Sequence, residues 1–310
     1  MKVSLLEPLN ISKEKIIEFS EKLADLDVEF EYFSKIAQSS DELQERVLDS
    51  DIAIIANHPF RKEAFSNSKN LKLIAVAFTG LDHVDVNFAK ENGVEVVNAG
   101  GYANNSVAEL SIGLTLDLFR KISFQDRTIR KAGRGSIGRE IKGKTVGIVG
   151  TGAIGTRCAE LYKAFGANVI GYNRSEKEDF KKIGEYRSWE EVFKKSDIIS
   201  LHLPLTEETE NIVSSKEFSL MKPSSIIINV SRGKVIDTNA LYNALKEGSI
   251  AGCGLDVFEK EPPLDKDYKL FELENVILSP HIGYFTEEAM DKRADIIFNK
   301  VLDFIKSHNN

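Results

Sequence analysis

Disulfides, long apolar runs and an excess of positive charge are all missing from this chain. Only two of its 310 residues are cysteine, Cys158 and Cys253, so it is not a small scaffold stapled by bridges. Neither has the CxxC or Cys/His spacing of a zinc site, and no metal site is expected. Both lie in segments that read as buried helix and strand, and they are expected to be core residues of a protein kept in a reducing compartment, the cytoplasm. Lys plus Arg total 41 against 48 Asp plus Glu, a net charge of −7. No basic tract stands ready to neutralise a run of phosphates, which argues against nucleic acid as a partner. The longest apolar-rich stretch, Val107 to Phe119, carries Glu109 and Asp117 and is shorter than the ~20 residues a bilayer span needs. A membrane partner is therefore not expected. The opening Met1 to Pro8 is broken too soon by charge and proline to act as an export signal.

What is present is ordinary for a folded chain: hydrophobic residues are 42% and charged residues 29% of the total, near the globular averages. The length suggests two domains of about 150 residues each. Val3 to Leu6, Glu29 to Phe33, Ile52 to Ala56, Leu71 to Phe78 and Val94 to Asn98 are predicted strands. Helical patterns separate them at Ser12 to Leu23, Asp41 to Leu48 and Val86 to Glu91. Strands divided by helices need crossover connections, hence a parallel sheet covered on both faces. Ser106 and Glu109 then form an expected capping box that opens a long helix to about Phe119. Strands resume at Thr145 to Val149, Asn168 to Tyr172, Asp197 to His202, Ser225 to Val230, Ala251 to Val257 and Val276 to Leu278. The helical tail, Thr286 to Lys306, is placed back on the first block. The expected domains are 1–98 plus 285–310, and 99–284.

The strand ending at Val149 runs directly into Gly150-Thr151-Gly152-Ala153-Ile154-Gly155, followed by a helix predicted from Thr156 to Phe165. Within a strand–turn–helix unit this GxGxxG is the mark of a dinucleotide site. The first glycine permits the tight turn, the second lets backbone approach a pyrophosphate, and the third lets helix pack on strand. The pyrophosphate is expected on the helix N-terminus. The fold class that follows is α/β with two doubly wound parallel-sheet domains, a Rossmann coenzyme domain inserted in a flavodoxin-like substrate domain. The next strand ends at Asn173-Arg174-Ser175, where an acid would bind the ribose 2′-OH of NAD. Lack of the carboxylate removes repulsion toward a 2′-phosphate, and Arg174 with Ser175 offers a guanidinium fork and a hydroxyl. NADP(H) is expected to be preferred, with NAD(H) possible. The alternative is that Arg174 stacks on adenine while Glu176 serves the ribose.

Three further segments follow late strands: Asn229-Val230-Ser231-Arg232-Gly233, Leu255 to Pro263, and Ser279-Pro280-His281-Ile282-Gly283. Each ends a strand at a sharp turn, on the side where such sheets place ligands. Together with Thr79 to Asp85, Ser106 to Glu109, the glycine turn and His202-Leu203-Pro204-Leu205-Thr206, they resemble the D-isomer-specific 2-hydroxyacid dehydrogenase family over nearly the whole chain. The resemblance implies an oxidoreductase that moves a hydride between NAD(P)H and C2 of a small 2-keto or 2-hydroxy acid. His281 would be the acid/base, since imidazole titrates near neutrality. Glu261 would favour its protonated form and hold one tautomer. Arg232 would grip the substrate carboxylate and polarise the carbonyl. Backbone N–H groups of Phe78-Thr79-Gly80 would take the other carboxylate oxygen. Asp256 would face the nicotinamide carboxamide. The cofactor would also meet Val107, His202, Leu203, Pro204, Thr209, Val230, Ser231 and Gly283.

Departures from the family pattern are informative. Phe78 stands where a small residue is common, and Tyr284-Phe285 is bulkier than the usual small pair and similar to the aromatic pair of D-lactate dehydrogenases. Both speak against a phosphorylated substrate. Glu261 rather than Gln disfavours a formate dehydrogenase, and no regulatory domain is expected after residue 310. A homodimer is expected, with the Val107–Phe119 helix in its interface because its apolar residues spread widely round the helix. Domain closure hinged near Asn98 to Gly101 and Pro280 to Tyr284 is expected to exclude water. An NAD(P)H-sensing corepressor on the same scaffold is the competing class, though the long disordered tail of such a hub is not apparent.

Overall fold

In the computed structural model, which describes residues 1–308, the chain divides into two compact units. One comprises Met1–Ala103 with the chain from Phe285 onward, the other Asn104–Tyr284. The first unit holds a parallel sheet of β1 (Lys2–Leu5), β2 (Glu29–Tyr32), β3 (Ile52–Ile55), β4 (Leu73–Val76) and β5 (Glu95–Asn98), in the order β2-β1-β3-β4-β5. That is the flavodoxin order. Its central strands, Ile-Ala-Ile-Ile and Leu-Ile-Ala-Val, are buried along their whole length. Apolar residues on both faces suit a parallel strand covered above and below. Helix Lys13–Ala24 starts on Ser12, whose side chain accepts from Lys15 N. The last helix, Glu287–His308, returns to this sheet: the rings of Phe298 and Phe19 stack at 3.9 Å. Arg293 of that helix is buried and donates to Leu9 O at 2.7 Å.

The second unit is a seven-stranded parallel sheet. It contains β6 (Thr145–Val149), β7 (Asn168–Tyr172), β8 (Glu185–Tyr186), β9 (Ile198–Leu201), β10 (Ile226–Asn229), β11 (Gly252–Leu255) and β12 (Val276–Leu278). The order β12-β11-β10-β9-β6-β7-β8 starts inside the sheet at β6, runs out through β7 and β8, and reverses at β6/β9. This is the Rossmann arrangement with one added strand, and ligands bind at its reversal point. Both cysteines are free and buried. Among the described residues no helix is long and apolar enough to cross a membrane, and no cluster of metal-binding side chains occurs.

Several elements differ from the sequence reading. β8 has only two residues, too short to carry an alternating pattern. The long helix starts at Asn104, not at a Ser106 cap. Ser106 lies buried inside it, and Glu109 accepts instead from Asn105 Nδ2 at 2.5 Å. Its apolar residues spread round the helix because it packs both on helix Ala153–Ala164 and on β10, β11 and β12, so that spread needs no second copy. The nucleotide helix begins at Ala153, directly on Gly152. A further helix, Ile122–Arg130, follows a left-handed Lys121 (φ 55°).

Candidate active site

The glycine turn lies at the carboxyl end of β6. Gly150 has φ +93°, and a Cβ there would come within 2.5 Å of His202 O, so both the turn and the neighbouring strand require glycine. At Gly155 a Cβ would meet Gly150 O at 2.0 Å, which fixes the close approach of helix to turn. Gly152 is different. It is the N-cap of the 12-residue helix Ala153–Ala164, no side chain caps that end, and a Cβ on it would meet nothing within 4 Å. Only that middle glycine keeps open space, and it does so over unsatisfied N–H groups and the positive end of a helix dipole. An anionic pyrophosphate fits such a cradle.

The lips of the cradle come from β7 and β9. Asn173 folds back on the turn: its Oδ1 accepts from Thr151 N at 3.3 Å, and its Nδ2 donates to Ser175 O at 2.7 Å. Thr151 Oγ1 bonds Tyr186 OH at 2.6 Å. Arg174 pairs with Glu208 at 2.6 Å, while Glu176 is held by Lys181 at 2.9 Å. His202 presses its carbonyl on Gly150, as noted, and Leu203 Cδ2 lies 3.2 Å from where a Gly150 Cβ would stand. The His202 ring bonds Ser200 Oγ at 2.9 Å through Nε2, and burial pushes its pKa down to about 3. The buried imidazole is therefore neutral. Thr209 knots its own loop, donating to Pro204 O at 2.6 Å and accepting from Thr206 N at 2.8 Å.

Arg232, Glu261 and His281 follow the ends of three adjacent strands. Asn229 of β10 is level with Leu255 of β11, which is level with Leu278 of β12. Past Asn229 the chain turns at Ser231, whose N–H and hydroxyl both donate to Asn229 Oδ1, while Asn229 Nδ2 donates to Arg232 O at 2.9 Å. Gly233 sits so close to Phe258 that a Cβ would meet its carbonyl carbon at 1.9 Å. That contact presses the Arg232 turn onto the segment leading to Glu261. Glu261 Oε2 in turn lies 2.9 Å from His281 Nδ1. His281 has a left-handed backbone (φ 55°), uncommon for a residue with a Cβ and a feature of sites held by their surroundings.

Asp256 does the holding. Its Oδ1 accepts from Ser279 Oγ at 2.6 Å and Ile282 N at 2.9 Å, and its Oδ2 from Gly283 N at 2.7 Å. It therefore clamps both sides of the His281 turn. Burial pushes its pKa up, against these three bonds. Gly283 fills the narrow gap between Asp256 Oδ2 and Val107 Cγ2, and Val230 is buried. Sequence reasoning missed the clamp, the Asn229 bracket and Glu208. A buried Asn or Asp at a strand end was the available signal for the first two.

Phe78, Thr79 and Gly80 follow β4 in the first unit. Thr79 O accepts from Asn98 Nδ2 at 2.7 Å and Phe78 O from Ala99 N at 3.0 Å. The Phe78 ring is edge-on to His83 at 6.1 Å and tilted to Tyr102 at 6.3 Å.

Residues 112–283 match the model of the D-isomer specific 2-hydroxyacid dehydrogenase NAD-binding domain. The chain is 42% identical over 277 residues to a glyoxylate reductase of Thermococcus litoralis, covering 85% of this chain and 83% of that one. Among solved structures it resembles an acyclic imino acid reductase in complex with NADPH and D-Arg, with a TM-score of 0.87 and 32% identity over 99% of this chain and 98% of that one. It also resembles the D-lactate dehydrogenase of Aquifex aeolicus complexed with NAD and lactic acid, with a TM-score of 0.83 and 31% identity over 99% and 96% of the two chains. By sequence and by architecture, then, the chain belongs to the D-isomer-specific 2-hydroxyacid dehydrogenase family.

Proposed function

We propose that this dehydrogenase reduces a small, unphosphorylated 2-keto acid to its D-2-hydroxy acid, with NADPH preferred over NADH. The observation that carries the chemistry is the His281–Glu261 contact at 2.9 Å on a turn clamped by Asp256. The cofactor, when bound, supplies or accepts the hydride at C2. His281 delivers a proton to the carbonyl oxygen in reduction and removes it in oxidation. Glu261 keeps the second ring nitrogen in partnership, and Arg232 binds the carboxylate with its planar fork. In this reading the unit built on β1–β5, through Phe78-Thr79-Gly80, handles substrate, and the unit built on β6–β12 handles the cofactor. Tyr284 lies edge-on to the His281 ring at 5.8 Å, which favours a small or apolar group at C3 over a phosphate. NADPH or NADH consumption with glyoxylate, hydroxypyruvate, pyruvate and bulkier 2-keto acids tests the assignment. Turnover of none of them would refute it.

Glu261→Gln keeps the shape of the carboxylate and removes its charge. His281 Nδ1 then loses its charged partner at 2.9 Å, and kcat for 2-keto acid reduction is expected to fall by about tenfold while cofactor affinity is unchanged. An unchanged kcat would show that the two side chains do not act together.

The NADPH preference rests on Asn173-Arg174-Ser175, where the chain after β7 carries Asn173 in place of an acid. A charge-assisted contact to the 2′-phosphate at this exposed position is worth about tenfold to a hundredfold in affinity. Arg174→Ala is expected to lose most of that for NADPH and little for NADH, and Asn173→Asp to swing preference toward NADH. Comparing kcat/KM for both cofactors decides it, and wild-type enzyme that uses NADH equally well or better contradicts the preference.

A homodimer built on the second unit completes the reading. Ile122, Ile129 and Ile137 are 55%, 68% and 90% exposed, and helix Ile122–Arg130 buries no residue. Beside them lies a cavity of about 720 Å³ lined by Leu118, Phe119, Phe124 and Ile277, among others. Apolar groups this exposed mark an interface. Sedimentation at micromolar concentration should show a dimer, and Ile129→Asp with Ile137→Asp should shift it toward monomer. A wild-type monomer would count against the assignment.

A further inference from the structure

We infer that Glu208 sets how strongly the enzyme discriminates between its two cofactors, by occupying the guanidinium that a ribose 2′-phosphate needs. The inference deepens the cofactor reading above and rests on it. Arg174 Nη1 and Glu208 Oε2 are 2.6 Å apart, with both side chains largely exposed, 77% and 72%. The two residues come from opposite lips of the glycine turn. Arg174 follows β7 and Glu208 follows β9, and these are the strands that flank β6 in the sheet.

Both partners are presented by fixed backbone. The Glu208 turn is closed by Thr209, whose hydroxyl donates to Pro204 O while its N–H, with that of Glu210, donates to Thr206 O at 3.1 and 3.0 Å. Arg174 lies between Asn173 and Ser175, which are tied together by Asn173 Nδ2. The nearer acid in sequence, Glu176, is engaged by Lys181 at 2.9 Å. The carboxylate that meets Arg174 is therefore the one 34 residues away, on the far lip.

A dianionic 2′-phosphate binding to Arg174 must displace Glu208 or share the fork with it, and in either case stands near a like charge. NADH, with a neutral 2′-hydroxyl, meets neither penalty. Glu208 thus opposes the preference that Arg174 creates and narrows the gap between the two cofactors. Because the pair is exposed, the effect is modest and screened by salt.

The test is fluorescence titration of the full-length enzyme with NADPH, NADH and 2′,5′-ADP, for wild type, Glu208→Gln, Arg174→Ala and the double variant. Glu208→Gln is expected to tighten NADPH and 2′,5′-ADP by about threefold to tenfold at low salt, with a smaller gain at high salt, and to change NADH by less than about twofold. In the Arg174→Ala background the gain should shrink to the small part that comes from like-charge repulsion. An equal gain for NADH, an undiminished gain without Arg174, or no gain at all would overturn the role given to Glu208. The cofactor reading fails separately: it falls if Arg174→Ala leaves 2′,5′-ADP affinity unchanged, whatever Glu208→Gln does.

Discussion

Replacing His281 with alanine is expected to lower the turnover number for 2-keto acid reduction by about 10²- to 10⁴-fold, the usual worth of a positioned acid/base. Cofactor affinity should stay within about twofold, because the imidazole serves the substrate oxygen and not the dinucleotide. His281 is carried on a left-handed backbone between Ser279 and Gly283, both of them tied to one Asp256 carboxylate, and its Nδ1 faces Glu261. The other ring nitrogen is left to meet a substrate. Rapid-mixing measurement of hydride transfer at saturating keto acid reads the effect directly. Retention of more than half the wild-type rate would remove His281 from the chemistry and leave the clamp as a purely structural device.

Arg232→Ala should lower kcat/KM by about 10²- to 10³-fold, the cost of losing a donor aimed at developing charge. Its contrast with His281→Ala lies in the substrate. A 2-hydroxy or 2-keto acid presents a carboxylate to the fork, whereas a simple aldehyde such as glycolaldehyde does not. Arg232→Ala is therefore expected to reduce the large advantage of acid over aldehyde, while His281→Ala should depress both. Arg232→Lys keeps the charge but not the planar fork and should recover only part of the loss. An unchanged ratio of acid to aldehyde in Arg232→Ala would mean that the carboxylate binds elsewhere.

Much of this arrangement is legible in the residues because the signals are local. Gly150, Gly152 and Gly155 announce their turn through spacing alone, and at Gly150 and Gly155 the backbone leaves no room for a Cβ. Strands such as Ile52–Ile55 and Ile226–Asn229 are apolar on both faces, so a covered parallel sheet follows from composition. What stays hidden depends on partners far apart in sequence. Asp256 reads as one more acid at a strand end until Ser279, Ile282 and Gly283 are seen to converge on it. Arg174 reads as a free fork until Glu208 is seen across the turn. Helix Ile122–Arg130 escapes because none of its few apolar residues is buried, and Ile122 and Ile129 among them face solvent. The capping box at Ser106 fails for a related reason: local chemistry offered a cap, and packing drew Ser106 inside the helix.

The stereochemistry and stoichiometry of one reaction test the proposed function most directly. Purified enzyme, NADPH and hydroxypyruvate should give D-glycerate in a one-to-one ratio to the cofactor consumed, identified by chiral chromatography, and the Arg232→Ala and His281→Ala proteins should give far less under the same conditions. Formation of the L-enantiomer, or cofactor binding without turnover of any 2-keto acid, would contradict it.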